Sequence, residues 1–129
     1  MKNSQIQKPS KLVKEGQIWQ LGEHRLLVGS CTDTNLISEL LKGVHIDLVI
    51  TDPPYGIEYV ESKEGIGEVS KNKVIANDNI TNEAEYEKFS EEWLRPVLPH
   101  LAKKNSIYIF NCDKMLFALK KSMNNCDIY

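Results

Sequence analysis

Cysteine is scarce in this sequence, and its cysteines show no pairing pattern. The 129 residues contain three cysteines, Cys31, Cys112 and Cys126, and no C-x-x-C pair. An odd number without that spacing disfavours a disulfide framework and a tetrathiolate zinc site. The three histidines are scattered without H-E-x-x-H spacing, so isolated histidines are a better interpretation than metal ligands. We therefore expect no metal site and a reducing, cytoplasmic location.

Long hydrophobic runs and an excess of charge are also missing. No apolar stretch approaches the roughly 20 residues that span a bilayer, so we expect no membrane partner. The formal net charge of −2 excludes a globally basic nucleic-acid coat protein, although not a local basic patch. Residues 1–14 are polar, with four lysines and no apolar stretch behind them, and indicate a flexible leader rather than a secretory signal.

Short strands and amphipathic helices alternate over the rest of the chain, which is typical of an α/β protein with a parallel sheet. The first half predicts a hairpin over 17–21 and 24–29, a helix over 32–42 that Thr32 or Thr34 caps and Gly43 ends, a strand over 46–51 buried on both faces, and a mobile loop over 57–76. The second half predicts a helix over 83–94 capped by Asn82, with Tyr86, Phe89 and Trp93 on one apolar stripe. It further predicts a strand over 106–110, a helix that Asp113 caps and that runs to about 123, and the start of a strand at 128–129.

An acid, two prolines and an aromatic ring follow the strand over 46–51. In open α/β sheets, ligands bind at the carboxyl ends of the strands, and residues 52–55 (DPPY, the strand-exit motif) occupy such an end. The prolines make the motif stiff and remove two N–H donors. This arrangement suits a planar ring that carries an amino group. The carboxylate and a carbonyl without competing donors can accept the amino hydrogens, and the aromatic face can stack on the ring. An ordinary turn after a strand is the simpler alternative.

The residues TDPPYG at 51–56 resemble the catalytic motif of amino-group DNA methyltransferases, which methylate N6 of adenine or N4 of cytosine. The stretch GQIWQLGEHRLLVGSCTD is similar to the opening hairpin and cofactor-pocket segment of that family. Asn77-Asp78 and the later stretch EWLRPVLPHLAKKNSIYIF resemble the helix and strand that follow the catalytic loop. The resemblance covers roughly residues 15–129.

This resemblance implies an α/β, partial Rossmann-like fold that uses S-adenosylmethionine as methyl donor, preceded by a β-hairpin, with double-stranded DNA as partner. The target base is flipped out of the duplex by enzymes of this kind. The residues that it implies are catalytic Asp52, Pro53, Pro54 and Tyr55, and cofactor-binding Ser30, Cys31, Asp52 and Pro53. Relatives often carry an acid where Ser30 stands, so this position departs from their pattern.

A catalytic motif so near the start is similar to the family's β-type motif order, in which the target-recognition region and the glycine cofactor motif F-x-G-x-G come later. Neither is found here, and the G-x-G at 65–67 lies in the predicted loop. We therefore expect residues 15–129 to be the N-terminal part of a catalytic domain, inactive when isolated. Uncovered sheet edges and apolar faces would then favour self-association or a homodimer.

Several activities fit this resemblance. Asp at the first motif position, here Asp52, more often accompanies adenine in the family, whereas Ser there more often accompanies N4 of cytosine. Relatives that act on RNA or on a protein amide usually carry Asn. The absence of a Pro-Cys pair argues against C5-cytosine methylation. We expect site-specific N6-adenine methylation of DNA, of the restriction-modification type, with an N4-cytosine enzyme, an RNA or protein amide enzyme, or an inactive truncated remnant as alternatives.

Overall fold

A computed structural model describes residues 13–56, 75–80 and 82–129. Besides its α-helices and strands, this part of the chain has two short 3₁₀ turns, Leu98–His100 and Asp113–Met115. The helices and strands, in chain order, are β1 (Ile18–Leu21), β2 (His24–Leu27), α1 (Thr34–Leu41), β3 (Ile46–Thr51), α2 (Glu83–Leu94), β4 (Leu101–Ile109) and α3 (Leu116–Asn125). This order confirms the predicted mixed α/β class. Most of the predicted leader and of the predicted loop over 57–76 lies outside the described residues.

The predicted hairpin is confirmed, and the cap of the first helix differs from the prediction. β1 and β2 pair antiparallel, with Gly22 at a φ of +64° in the turn between them. The α1 helix is capped by Asp33, whose carboxylate accepts from the backbone N–H of Asn35 at 2.9 Å and of Leu36 at 3.1 Å. The predicted caps Thr32 and Thr34 were wrong, because Asp33 directly precedes the helix and its carboxylate reaches both free N–H groups.

The C-terminal end of α1 lies close to its predicted position. Lys42 is the C-cap in the left-handed conformation, with a φ of 49°. The next residue, Gly43, also has a positive φ, +79°. Gly43 therefore follows the cap, where glycine commonly ends a helix.

β3 and β4 form the parallel pair that the sequence predicts. Leu48 lies opposite Ser106 and Thr51 opposite Ile109. β4 starts at Leu101, earlier than the predicted residue 106. Leu101 pairs with Ile46, but the register shifts between Ile46 and Leu48. Regular pairing therefore begins at Ser106, where the β-rich run of the sequence begins.

One face of this sheet is covered, and the other is open in the described part of the chain. Helices α2 and α3 supply most of a core in which Ile109 of β4 also packs; its buried members are Tyr86, Phe89, Trp93, Leu94, Met115, Ala118, Leu119 and Cys126. On β3, Leu48 and Ile50 are 51% and 65% exposed. The prediction that this strand is buried on both faces was therefore wrong, because no described element buries the face that carries these two residues.

The C-terminal part of the chain departs from the prediction at both ends of α3. Asp113 lies in the 3₁₀ turn and accepts from the N–H of Lys114 at 2.9 Å, so it does not cap α3. The predicted strand at 128–129 does not form, because the N–H of Ile128 donates to the carbonyl of Met123 at 2.9 Å and closes the end of the helix. None of the helices in the described part of the chain has the length and apolar character that crossing a membrane requires.

Candidate active site at the exit of β3

The strand-exit motif lies where the parallel pair ends and the chain leaves the sheet. The last ladder bond runs from the N–H of Phe110 to the carbonyl of Thr51, at 2.9 Å. Two prolines follow, and because proline has no N–H the ladder cannot continue. Asp52 is exposed, whereas Pro53 is buried. The motif and residues Ile75 and Asp78 line an open cavity of about 330 Å³.

Asp52 and Tyr55 are joined by a short hydrogen bond. The Tyr55 hydroxyl donates to Oδ1 of Asp52 at 2.5 Å. This bond to a carboxylate raises the pKa of Tyr55 above its usual value, so the hydroxyl remains a donor at neutral pH. A carboxylate has two oxygens, so the second oxygen of Asp52 is available for another donor.

A buried carboxylate holds the residue that follows the motif. The N–H of Gly56 donates to Oδ1 of Asp78 at 3.1 Å, and Asp78 is only 6% exposed. Gly56 has a φ of +66°, and a Cβ atom there would lie 2.0 Å from the carbonyl oxygen of Ile80. Only glycine therefore allows residues 75–80 to approach the end of the motif this closely.

The exit of β4 and helix α2 contact the motif from its buried side. The Tyr86 hydroxyl donates to the carbonyl of Pro54 at 3.0 Å and lies 3.4 Å from Oδ1 of Asn111. The same Asn111 oxygen accepts from the N–H of Cys112 at 2.8 Å. The Cys112 thiol lies 3.7 Å from the Tyr55 carbonyl. Both strand exits therefore meet at the motif, as the sheet topology predicts.

The predicted cofactor residues Ser30 and Cys31 line other cavities. Ser30 lines one of about 290 Å³ that also includes Asn77, and its Oγ lies 2.7 Å from the hydroxyl of Thr32. Cys31 lines a small apolar cavity of about 80 Å³ beside Trp93. The structure thus brings residues 52–55 together around one cavity and places these two residues outside its lining. Their part in cofactor binding stays a prediction.

Three residues at the site are not among the predicted functional residues: Asp78, Tyr86 and Asn111. Asp78 belongs to a stretch that carries the family resemblance, and Asn111 follows the second buried strand, so both had a signal. The sequence places Tyr86 only on the apolar stripe of its helix. Its hydroxyl could not be assigned a partner, because that partner is a backbone carbonyl distant in the sequence.

Among the described residues, the lining of the motif cavity carries acidic side chains and no basic one. Asp52 and Asp78 are its charged residues, among prolines, Tyr55 and Ile75. Carboxylates and carbonyl oxygens accept hydrogen bonds and favour a positive charge nearby. The arrangement can hold an amino group, or stabilise a cation, beside the aromatic ring.

A family model of DNA methylases, the N6/N4 methyltransferases, matches residues 46–128, which is more than half of the chain. The match includes the strand-exit motif, helix α2, strand β4 and helix α3. No curated protein and no solved structure gives a significant match. The chain belongs to the amino-group DNA methyltransferase family, and its substrate class is therefore DNA.

Proposed function

We propose that this protein transfers a methyl group from S-adenosylmethionine to N6 of adenine in double-stranded DNA, and that the strand-exit motif is the catalytic site. The observation that carries the proposal is the pair of acceptors at the exit of β3. One oxygen of Asp52 is not used by Tyr55, and among the described residues no hydrogen bond reaches the carbonyl of Pro53. Both can accept from one amino group.

Two acceptors on one amino group address the chemical difficulty of this reaction. The exocyclic nitrogen of a base is a poor nucleophile because its lone pair is delocalised into the ring. Asp52 and the Pro53 carbonyl accept its two hydrogens and favour tetrahedral geometry, in which the lone pair is available for attack. Asp52, or a water molecule beside it, takes the proton after the attack. Fixed acceptors also stabilise the positive charge that develops on the nitrogen.

Tyr55 supplies the aromatic face for the flipped base. Its hydroxyl is held by Asp52, so its ring has a preferred orientation before the base arrives. Stacking of a base on an aromatic ring contributes about 1–3 kcal/mol in single-stranded nucleic-acid binding. This contact compensates part of the cost of removing the base from the duplex.

The charge of the cavity fits the proposed methyl donor. S-adenosylmethionine, when bound, supplies an electrophilic methyl group on a positively charged sulfonium. While they accept the hydrogens of the amino group, Asp52 and the Pro53 carbonyl would also stabilise the positive charge of a nearby sulfonium, because the described lining of the cavity carries acids and no basic residue. Ser30 and Cys31 are proposed to contact another part of the same donor.

Adenine is proposed over cytosine because Asp rather than Ser stands at position 52, and N4 of cytosine is the second candidate. We further propose a Rossmann-like arrangement for the complete catalytic domain, to which residues 15–129 contribute the N-terminal part. A cytoplasmic location and a restriction-modification role are part of the same proposal.

Replacement of Asp52 tests the catalytic assignment. In the full-length gene product, Asp52→Ala should lower the rate of methyl transfer at least about 100-fold, the lower end of the effect of removing a general base. The side chain is exposed, so the melting temperature should change little. The assay follows tritium from methyl-labelled S-adenosylmethionine into DNA, and nucleoside chromatography distinguishes N6-methyladenine from N4-methylcytosine.

Asp47→Ala is the matched control. Asp47 is another exposed aspartate on β3, away from the strand exit, and its replacement should leave the rate unchanged. Full activity in Asp52→Ala would overturn the catalytic assignment, and N4-methylcytosine as the product would replace adenine by the second candidate.

A further inference from the structure

Tyr86 combines complete burial with a polar contact to the proposed catalytic motif. The residue is 0% exposed in the core between α2 and α3, where its ring lies 5.9 Å from that of Phe89. Its hydroxyl donates to the Pro54 carbonyl at 3.0 Å. Burial raises the pKa of Tyr86 to about 12, so the hydroxyl keeps its hydrogen over the whole physiological range.

The motif depends on contacts from outside itself. Pro53 and Pro54 have no N–H groups, so the motif cannot be held by its own backbone donors at these positions. In the described part of the chain, polar contacts reach the backbone of the motif and of the next residue from Tyr86 on the Pro54 carbonyl, Asp78 on the N–H of Gly56, and Cys112 near the Tyr55 carbonyl. Of these, the contact from Tyr86 is made to the residue that directly follows the proposed acceptor Pro53.

The proline rings transmit this contact to the adjacent carbonyl. The peptide plane after Pro54 carries the carbonyl that Tyr86 holds, and the plane before it carries the Pro53 carbonyl. Only φ and ψ of Pro54 relate these two planes. The ring locks φ, and the bond from Tyr86 restrains the plane on the other side. The remaining freedom is ψ of Pro54, which the bond from Tyr86 to the Pro54 carbonyl limits, so the direction of the Pro53 carbonyl is restrained relative to the core.

We propose that Tyr86 is a positioning residue for methyl transfer: by holding the Pro54 carbonyl, its hydroxyl directs the neighbouring Pro53 carbonyl toward the amino group of the target base. This inference rests on the proposed function, because it requires the Pro53 carbonyl to be an acceptor in the reaction. Tyr86 itself touches neither base nor methyl donor.

The test removes the hydroxyl and keeps the ring. Tyr86→Phe in the full-length gene product should lower kcat about tenfold, the equivalent of one ordinary hydrogen bond at the transition state. The KM values for DNA and for S-adenosylmethionine should stay within about twofold, because no group that contacts either molecule is removed. The carbonyl ¹³C resonance of Pro54 should move, since it loses its hydrogen bond.

Ser122→Ala is the matched control for a merely structural effect. Ser122 is also 0% exposed, and its Oγ lies 2.7 Å from the carbonyl of Ala118 and 3.1 Å from that of Glu87. Its loss should lower the melting temperature and leave kcat and the Pro54 resonance unchanged. Site-specific replacement of Tyr86 by 4-aminophenylalanine keeps a donor at the same ring position and should restore much of kcat.

Each outcome decides between the two proposals. A wild-type protein that transfers no methyl group overturns the proposed function and, with it, the role of Tyr86. An active wild type whose Tyr86→Phe variant keeps its kcat overturns the role of Tyr86 alone. Equal losses of kcat in Tyr86→Phe and Ser122→Ala would assign the effect to stability and also overturn it. If Tyr86→Phe does not fold, the 4-aminophenylalanine protein decides, because a kcat more than tenfold below wild type contradicts the proposal.

Discussion

At the residue scale, the site depends on residues with an unusual backbone conformation or an unusual degree of burial. Gly56 needs a positive φ and open space at its Cα, Asp78 is a buried acid that holds the Gly56 N–H, and Tyr86 is a buried phenol that holds the Pro54 carbonyl. Each of these features surrounds the strand-exit motif without belonging to it. The motif residues supply the proposed chemistry, and these neighbours supply its geometry.

Gly56→Ala should destabilise the folded protein by more than a positive φ alone explains. A non-glycine residue in this conformation costs on the order of 1–3 kcal/mol. The added Cβ would also lie 2.0 Å from the Ile80 carbonyl oxygen, so residues 75–80 must shift. We expect a lower urea midpoint and a lower methyl-transfer rate, because the end of the motif moves with Gly56.

Gly22→Ala separates the two effects. Gly22 has a similar φ of +64°, with nothing within 4 Å of the added Cβ, so it measures the backbone cost alone. Urea unfolding of both variants gives the comparison. A loss of stability in Gly56→Ala no greater than that in Gly22→Ala would contradict the close approach of residues 75–80.

At the scale of elements, the pairing of α2 with α3 places the core behind the site. Apolar side chains of both helices meet there, and at the solvent edge Lys121 bonds Glu87 at 2.7 Å. Lys121 is exposed and Glu87 is half-buried, and ion pairs at the protein surface contribute little to stability. The N-cap of α2 is a stronger determinant, because the first turn of this helix carries Tyr86 toward Pro54.

Asn82→Ala should lower the free energy of unfolding by about 1 kcal/mol, the usual cost of losing an N-cap. The Asn82 side chain accepts from the N–H groups of Ala84 at 2.9 Å and Glu85 at 3.3 Å, and alanine leaves both without this partner. Thermal or urea unfolding measures the change.

Asn124→Ala is the control for that experiment. Asn124 lies exposed in α3, and its side chain makes no hydrogen bond among the described residues. A surface change of this kind should stay within about 0.5 kcal/mol of wild type. Equal effects of the two substitutions would show that Asn82 does not cap α2.

At the scale of the whole molecule, the main feature is an apolar sheet face that no described element covers. Leu48 and Ile50 of β3 and Tyr108 of β4 are between 51% and 65% exposed. Ile50 lies opposite Tyr108 in the register of the pair. Exposed apolar residues that adjoin one another in a sheet favour contact with a second surface.

We predict that this face brings two copies of the chain together. Light scattering should show an average mass that rises with protein concentration, and Ile50→Lys should lower it by placing a charge on the face. Val44→Lys is the matched control, because Val44 is also exposed, at 64%, but lies before β3 rather than on the sheet. A wild-type chain that stays monomeric at every concentration would contradict this prediction.

The order of helices and strands was largely predictable, because it depends on local patterns. Two short strand-like runs around a glycine-containing turn located the hairpin. The stripe of Tyr86, Phe89 and Trp93 located α2, and β-rich runs located β3 and the paired part of β4. Two local predictions failed because a nearby residue formed a different hydrogen bond from the one expected. Asp33 rather than a threonine caps α1, and Ile128 bonds to the end of α3 instead of extending.

The sequence by itself determined the family and the position of the strand-exit motif, since both depend on residue order along one strand and its exit. The tertiary structure decided which groups hold that motif. The bonds from Tyr86 to Pro54 and from Asp78 to Gly56 join residues distant along the chain. The folded core brings each pair together, and no local spacing encodes such contacts. For the same reason, packing alone decided that, within the described part of the chain, one face of β3 is covered and the other open.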